Sequence, residues 1–195
     1  MLKHSGTQTL STERLTLRAF CETDAEPMFR NWAADPVVTR FLTWDVHPNL
    51  EASKEILEIW KHQYEKPQTY NWAIIDDVSE EAIGGISVVG IDQDHESCEI
   101  GYCISTKFWN LGIMTEAFSA IMAYLFEDVG FNRIIARHDP ENPASGRVMQ
   151  KCGMQLEGIS REVKKRSDGT FYDLATYAIL KKEYLKQNEE TRCQV

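Results

Sequence analysis

"EIGYCISTKFWNLGIMTEA", Glu99 to Ala117, passes from an alternating, aromatic-rich segment through a glycine into an apolar helical pattern. Strand alternation puts Glu99, Gly101 and Cys103 on one side and Ile100, Tyr102 and Ile104 on the other. Beyond the glycine, Ala117, Phe118, Ile121, Met122 and Leu125 share a helical face from about Thr115 to Asp128, and Gly130 follows as a stop. Gly112 stands at the hand-over. Either it supplies a backbone angle that other residues resist, or it lets a ligand approach the main chain where a helix N-terminus offers unpaired N–H groups and a partial positive charge.

The flanking segments extend the alternation of strands and helices. Downstream, "RIIAR" from Arg133 reads as a strand. "ENPASGRVMQKCGM" is a short helix with both ends marked by Asn142 as N-cap, Pro143 at the first helical position and Gly153 after the last turn. "MQLEGIS" and "DLATYAIL" are two more strands joined by the "KKRSDGT" turn. Upstream, "RLTLRAF" from Arg14, "YNWAII" from Tyr70 and "AIGGISVVGI" from Ala82 read as strands, the last two forming an antiparallel meander with "CEIGYCI" from Cys98. Asp24 is expected to N-cap a helix with Pro27 in its first turn and Met28, Phe29 and Trp32 as its apolar face, ended by Asp35-Pro36. A second helix runs from Asn49 to Glu65, where Ile56, Leu57, Ile59, Trp60 and Tyr64 have helical spacing.

Composition bounds what such a chain can do. Its 195 residues fit one domain with a real core, and no repeat, low-complexity segment or linker interrupts them. The reading is a loose N-terminus over 1–9, a domain over 10–185 and a polar tail over 186–195. Lys plus Arg is 21 and Asp plus Glu is 30, so the net charge of −9 opposes a nucleic-acid backbone and suits a cationic acceptor such as an amine. Cys21, Cys98, Cys103, Cys152 and Cys193 lack any C-x-x-C spacing, which argues against a disulfide framework or a zinc site and fits a reducing cytoplasm. No signal-type stretch follows Met1, and no run of ~18 apolar residues could span a membrane.

The pair "EIGYCISTKFWNLGIMTEA" and "NPASGRVMQKCGM", at this separation, resembles the GNAT superfamily of N-acetyltransferases, and most closely its Rim-type branch, which includes acetyltransferases of ribosomal-protein N-termini. The resemblance covers about Thr9 to Leu185 by element order. It implies a single α/β (α+β) domain with a mixed, mostly antiparallel sheet of about six or seven strands flanked by helices. It also implies acetyl-CoA as co-substrate, no metal, and direct transfer to a primary amine in a ternary complex.

Site residues follow from the same resemblance. Leu111, Gly112, Ile113, Met114 and Thr115 would cradle the coenzyme pyrophosphate with backbone N–H groups. Trp109 agrees with the Rim-type pattern, whereas Asn110 and Met114 stand where the family often has glycine, and glycine or alanine. Glu99 would be the general base, acting through water, with burial raising its pKa. The same strand should splay near a bulge, freeing backbone around Tyr102, Cys103 and Ile104 for the pantetheine arm and the acetyl carbonyl. In the capped helix Met149 replaces the tyrosine that often protonates the departing thiolate. Ser145, which shares a face with Met149 and Cys152, would stabilise that thiolate instead, and Asn142 would approach the pantetheine or simply cap the helix.

Alternatives remain beside these roles. Glu99 reads equally as a solvated strand residue, and Gly112 as a plain turn. His95, His138, Cys98 and Cys152 have no spacing that suggests a thiol-imidazole pair. Phe41, Trp32, Trp44 and Tyr172 lie in segments that flank the acceptor site in related folds. The acceptor itself is open between a protein N-terminus and a small amine such as a polyamine or aminoglycoside. A non-catalytic acyl-CoA sensor is the rival from another class, and the chain is read as monomer or homodimer.

Overall fold

A computed structural model of the chain describes residues 1–166 and 168–192. Its elements are β1 (Leu10–Ser11), β2 (Leu15–Ala19), α1 (Ala25–Met28), α2 (Pro36–Thr39), α3 (Leu50–Gln63), β3 (Asn71–Asp76), β4 (Glu81–Asp92), β5 (Ser97–Ile104), α4 (Ile113–Tyr124), β6 (Arg133–His138), α5 (Pro143–Lys151), β7 (Gln155–Lys165), β8 (Phe171–Leu180) and α6 (Lys181–Arg192). Among the described residues eight strands hydrogen-bond in the order β1-β2-β3-β4-β5-β6-β8-β7. The β5–β6 pair is parallel, and the pairs β1–β2, β2–β3, β3–β4, β6–β8 and β7–β8 are antiparallel. The expected mixed, mostly antiparallel sheet is present with one strand more. The addition is β1, whose two residues are too few to show alternation.

The chain divides into two compact units. One comprises residues 4–88 and 101–121, and the other residues 1–3, 89–100 and 122 onward. In the first, Leu15 and Leu17 of β2 are fully buried, as alternation requires, and β2 pairs with β3 from Leu15↔Asp76 to Ala19↔Trp72. Phe20, Met28, Trp32, Val38 and Leu57 form the core cluster, with Ile56 and Trp60 of α3 packed against it. Asn49 caps α3 as expected, its Oδ1 accepting from the Ala52 N–H at 3.0 Å.

The Asp24 reading needs correction. Helical structure begins earlier, in a 3-10 turn over Glu22–Asp24 with Cys21 as its N-cap, and Asp24 is the third residue of a capping box that reaches back to Cys21. Its carboxylate accepts from the Cys21 N–H at 2.8 Å and from both Arg18 Nη atoms at 2.7 and 2.8 Å. One buried carboxylate thus serves both an amide at the helix start and a paired guanidinium. The chain then passes from α1 into a π-helical turn over Phe29–Ala33. Asp35 ends that stretch and opens the next, since its Oδ1 accepts from the Val37 N–H at 2.8 Å at the start of α2. Residues 4–9, expected to be loose, carry hydrogen bonds in this unit: His4 Nδ1 to the Tyr70 hydroxyl at 2.8 Å, Gly6 N–H to Pro67 O at 2.8 Å, and Thr7 Oγ1 to Thr69 O at 3.0 Å.

In the second unit β5 pairs with β6 from Ser97↔Arg133 to Ile100↔Ala136, and β6 and β7 flank β8. A π-helical turn over Leu125–Val129 closes on Gly130, whose φ of 95° is the left-handed stop read from the sequence. Every residue of β7 is exposed. This edge strand carries a bulge between Ser160 and Lys164, where Glu162 has φ 50° and its N–H donates to Asp173 Oδ1 at 2.8 Å, a device that blunts a free edge. Of the "KKRSDGT" turn, Ser167 lies outside the described residues.

Residues 186–192, read as tail, continue α6. Glu183 Oε2 accepts from the Leu180 N–H at 2.9 Å to start the helix, and buried Tyr184 donates to Glu127 Oε1 at 2.6 Å. Cys193 and the two residues after it lie outside the described residues. No helix among the described residues is long and apolar enough to cross a membrane.

Candidate active site

The turn into α4 is built from torsions and one acidic brace. Asn110 has φ 61° and Gly112 φ 79°, so the chain takes two left-handed steps around Leu111 before the helix begins. Asparagine tolerates that region better than other non-glycine residues. Asn110 thus fills the family's glycine position without loss of the turn. Gly112 O accepts the Glu116 N–H at 3.0 Å, which makes Gly112 the cap residue and leaves the first-turn amides of α4 beyond the reach of any carbonyl in the helix. Ile113 and Met114 bury their side chains, while Leu111 is exposed. Their contribution to a ligand would come from the main chain.

Glu116 locks this turn to the start of β2. It accepts from Thr12 Oγ1 at 2.6 Å, the Arg14 N–H at 3.0 Å and Arg14 Nε at 2.7 Å, and Arg14 Nη1 donates to Leu111 O at 3.0 Å. Burial works to raise the Glu116 carboxyl, and the hydrogen bonds from Thr12 and Arg14 outweigh it and hold the group below its ordinary value. No local pattern could reveal this brace, because it joins residues about a hundred positions apart.

In the same unit Tyr102 packs on Phe118 of α4, with ring centroids 5.4 Å apart. Cys103 lies against Gly84 so closely that a Cβ there would stand 2.4 Å from Cys103 O. Burial pushes the Cys103 thiol up to about 12, opposed by a hydrogen bond from the Gly85 backbone. Ile104 O accepts from Trp109 Nε1 at 3.0 Å. Ser105, which follows, is buried with no partner for its hydroxyl. β5 pairs with β6 as far as Ile100↔Ala136 and itself runs on to Ile104.

Glu99 belongs to the other unit, where its side chain is half-buried and ion-paired. Arg137, two positions beyond its β6 neighbour Ile135, engages both carboxylate oxygens, Nε at 2.9 Å from Oε1 and Nη2 on Oε2. The hydrogen bond to Glu99 raises the Arg137 pKa against the lowering effect of burial. Two-point engagement leaves the carboxylate satisfied rather than poised.

On α5, Asn142 caps the helix, its Oδ1 accepting from the Ser145 N–H at 3.4 Å beside a 3.2 Å bond from the same N–H to Asn142 O. The structure therefore joins two predicted residues directly. Gly146, Met149 and Cys152 form the buried stripe, and half-buried Ser145 lies at its edge. Met149, 1% exposed, is a core residue, so the position that holds an acid in other members is here filled by packing.

The weaker candidates resolve as structure. His95 is turned to Asp92 at 2.9 Å and His138 donates from Nδ1 to Asp139 O at 2.8 Å, while burial pushes the Cys98 thiol far up. Trp32 is core, Trp44 packs on the same cluster, Phe41 lies under Arg40, and Tyr172 lies under Arg166. Among the described residues no group of three or more His, Cys, Asp or Glu could hold a metal ion.

Residues 14–155 match the acetyltransferase (GNAT) domain family. An uncharacterised N-acetyltransferase, YoaA, of Bacillus subtilis (strain 168) is 33% identical over 172 residues, spanning 88% of this chain and 96% of that one. The crystal structure of a GNAT-family acetyltransferase from Bacillus anthracis superposes with a TM-score of 0.79 at 27% identity, covering 90% of this chain and 99% of that one. The [ribosomal protein uS5]-alanine N-acetyltransferase of Escherichia coli (strain K12) is 25% identical over 100 residues, 51% of this chain and 52% of that one, in keeping with the Rim-type branch. The chain belongs to the GNAT acetyltransferase family. It is an acetyltransferase, and its donor is acetyl-CoA.

Proposed function

We propose that this enzyme acetylates a primary amine by direct attack on the acetyl-CoA thioester, with a protein N-terminus as the acceptor. The observation that carries the donor half is the turn at Asn110–Gly112, which opens α4 with two left-handed residues and commits the Ile113 and Met114 side chains to the core. Such a turn offers amides to a diphosphate. Leu111 to Thr115 would hold the pyrophosphate, the Tyr102–Ile104 main chain the pantetheine and acetyl carbonyl, and Asn142 and Ser145 the thiol end.

In the transfer the amine nitrogen forms a bond to the acetyl carbon, the carbon–sulfur bond breaks, and the pair leaves on sulfur as thiolate. Ser145 would donate a hydrogen bond to that thiolate, the nitrogen would give its second proton to solvent as the tetrahedral adduct collapses, and solvent would supply the proton to sulfur. Glu99 would take the ammonium proton through water. The Arg137 fork must first release one carboxylate oxygen, so activity should depend on that ion pair opening.

The test is thiol release from acetyl-CoA against N-terminal peptides, polyamines, aminoglycosides and amino acids. Turnover confined to peptides supports the acceptor, and turnover confined to a small amine transfers the reading to that amine. Glu99→Gln should lower kcat by about 100-fold with acetyl-CoA affinity kept. Wild-type turnover in that variant removes Glu99 as base.

A further inference from the structure

Asp139 is a buried carboxylate at the start of the turn that leads into α5. The side chain is 4% exposed. Its Oδ1 accepts from the Glu141 N–H at 2.9 Å and its Oδ2 from Arg166 Nη2. Its backbone O accepts from the Asn142 N–H at 2.7 Å and from His138 Nδ1 at 2.8 Å. The turn Asp139–Asn142 is thus wound around one residue, and that turn delivers the N-cap of α5.

Arg166 comes from 27 residues further along the chain, at the end of β7 where the hairpin turns into β8. Its guanidinium stacks on Tyr172 with Cζ 4.5 Å from the ring centroid, and Nη2 stands 3.7 Å from Glu141 Oε2. Its backbone is fixed as well, since the Arg166 N–H donates to Thr170 O at 2.8 Å. A planar side chain held by a ring face and by two carboxylates has little freedom left. Through Asp139 its position is passed to the turn.

We propose that Arg166 is a positioning residue for acetyl transfer: by pairing with Asp139 it sets the Asp139–Asn142 turn, and so where Asn142 and Ser145 stand. This rests on the reading that Ser145 and Asn142 serve the thiol end of acetyl-CoA. Arg166 contacts no reacting atom. Its effect reaches the chemistry only as geometry, and small misplacements of a catalytic group are costly in rate.

Two readouts test it on the full chain. In Arg166→Met, which keeps an apolar stem over Tyr172 and removes the charge, amide hydrogen exchange at Glu141, Asn142 and Ser145 should be about tenfold faster or more. With a competent acceptor its kcat should fall by about tenfold while KM for acetyl-CoA holds. Stranding a buried carboxylate also lowers the melting temperature, and a second variant separates that from positioning. Asp139→Asn added to Arg166→Met removes the stranded charge, so the melting temperature should recover while kcat stays low. Unchanged exchange in Arg166→Met overturns the proposal, and so does a kcat that recovers with the melting temperature in the double variant. Exchange is measured without turnover, so failure of the acetyl-transfer reading would show as an inactive wild type and leave the exchange result to decide Arg166.

Discussion

A Cβ atom added at Gly146 would stand 2.7 Å from Nε2 of His138. That nitrogen is buried without a hydrogen-bond partner, and the ring cannot easily retreat: Nδ1 is bonded to Asp139 O and the face lies 5.6 Å from the Tyr177 ring. Alanine in a helix interior usually gains up to about 1 kcal/mol over glycine. Here overpacking of about 1–3 kcal/mol should win. Gly146→Ala is therefore expected to melt below wild type, and in a His138→Ala background the same change should be neutral or stabilising. A Gly146→Ala protein as stable as wild type would show that the ring is not fixed.

Gly112→Ala should weaken acetyl-CoA binding for a torsional reason. The nearest atom to an added Cβ is Arg14 Nη2 at 3.6 Å, an ordinary contact, so space is not limiting. Holding alanine at φ 79° costs roughly 1–2 kcal/mol. Gly112→Asn should cost less, since asparagine visits that region. Calorimetry that finds equal affinity in wild type and Gly112→Ala would place the phosphate contacts elsewhere.

Loss of the brace should act at a distance from any ligand atom. Glu116→Ala removes the acceptor of Thr12 and Arg14 and frees the guanidinium that holds Leu111 O. Acetyl-CoA affinity should drop by roughly tenfold, the size of a lost charge-assisted hydrogen bond. Retained affinity together with a lower melting temperature would confine Glu116 to stability.

Asp24 should dominate the acid limb of stability in its unit. Burial raises its carboxyl, and the bonds from Arg18 and Cys21 overcome this and leave it below its ordinary value. A depressed carboxyl contributes stability that is complete above the unfolded value, near 3.9, and is lost as pH falls through the lower folded value. Melting temperatures of wild type and Asp24→Asn should differ most above about pH 4 and converge below it. A constant difference down to pH 2 would deny the linkage.

Much of the architecture was legible because its signals are local. Alternation in "EIGYCI", the capping residues Asn49 and Asn142 and the stop at Gly130 each act within one turn or strand. Asp24 misled because an N-cap and an ion-pair partner have the same letter, and Arg18 decides between them only in three dimensions. Glu99 stays open in the sequence between a base and a solvated residue for the same reason. Its partner Arg137 lies on a parallel neighbour, and nothing in "CEIGY" announces it. That the polar tail continues a helix was not legible, because a polar composition does not announce a helix that is started by Glu183 and pinned by one tyrosine.

The left-handed pair at Asn110 and Gly112 has a consequence for how such a loop can drift. What descends there is a curvature, and glycine and asparagine are two spellings of it. A chain can lose a glycine by letter and keep the bend, so percentage identity undercounts the kinship of these few residues. Conversely, a relative that keeps every flanking letter but places a β-branched residue at either position would have lost the loop.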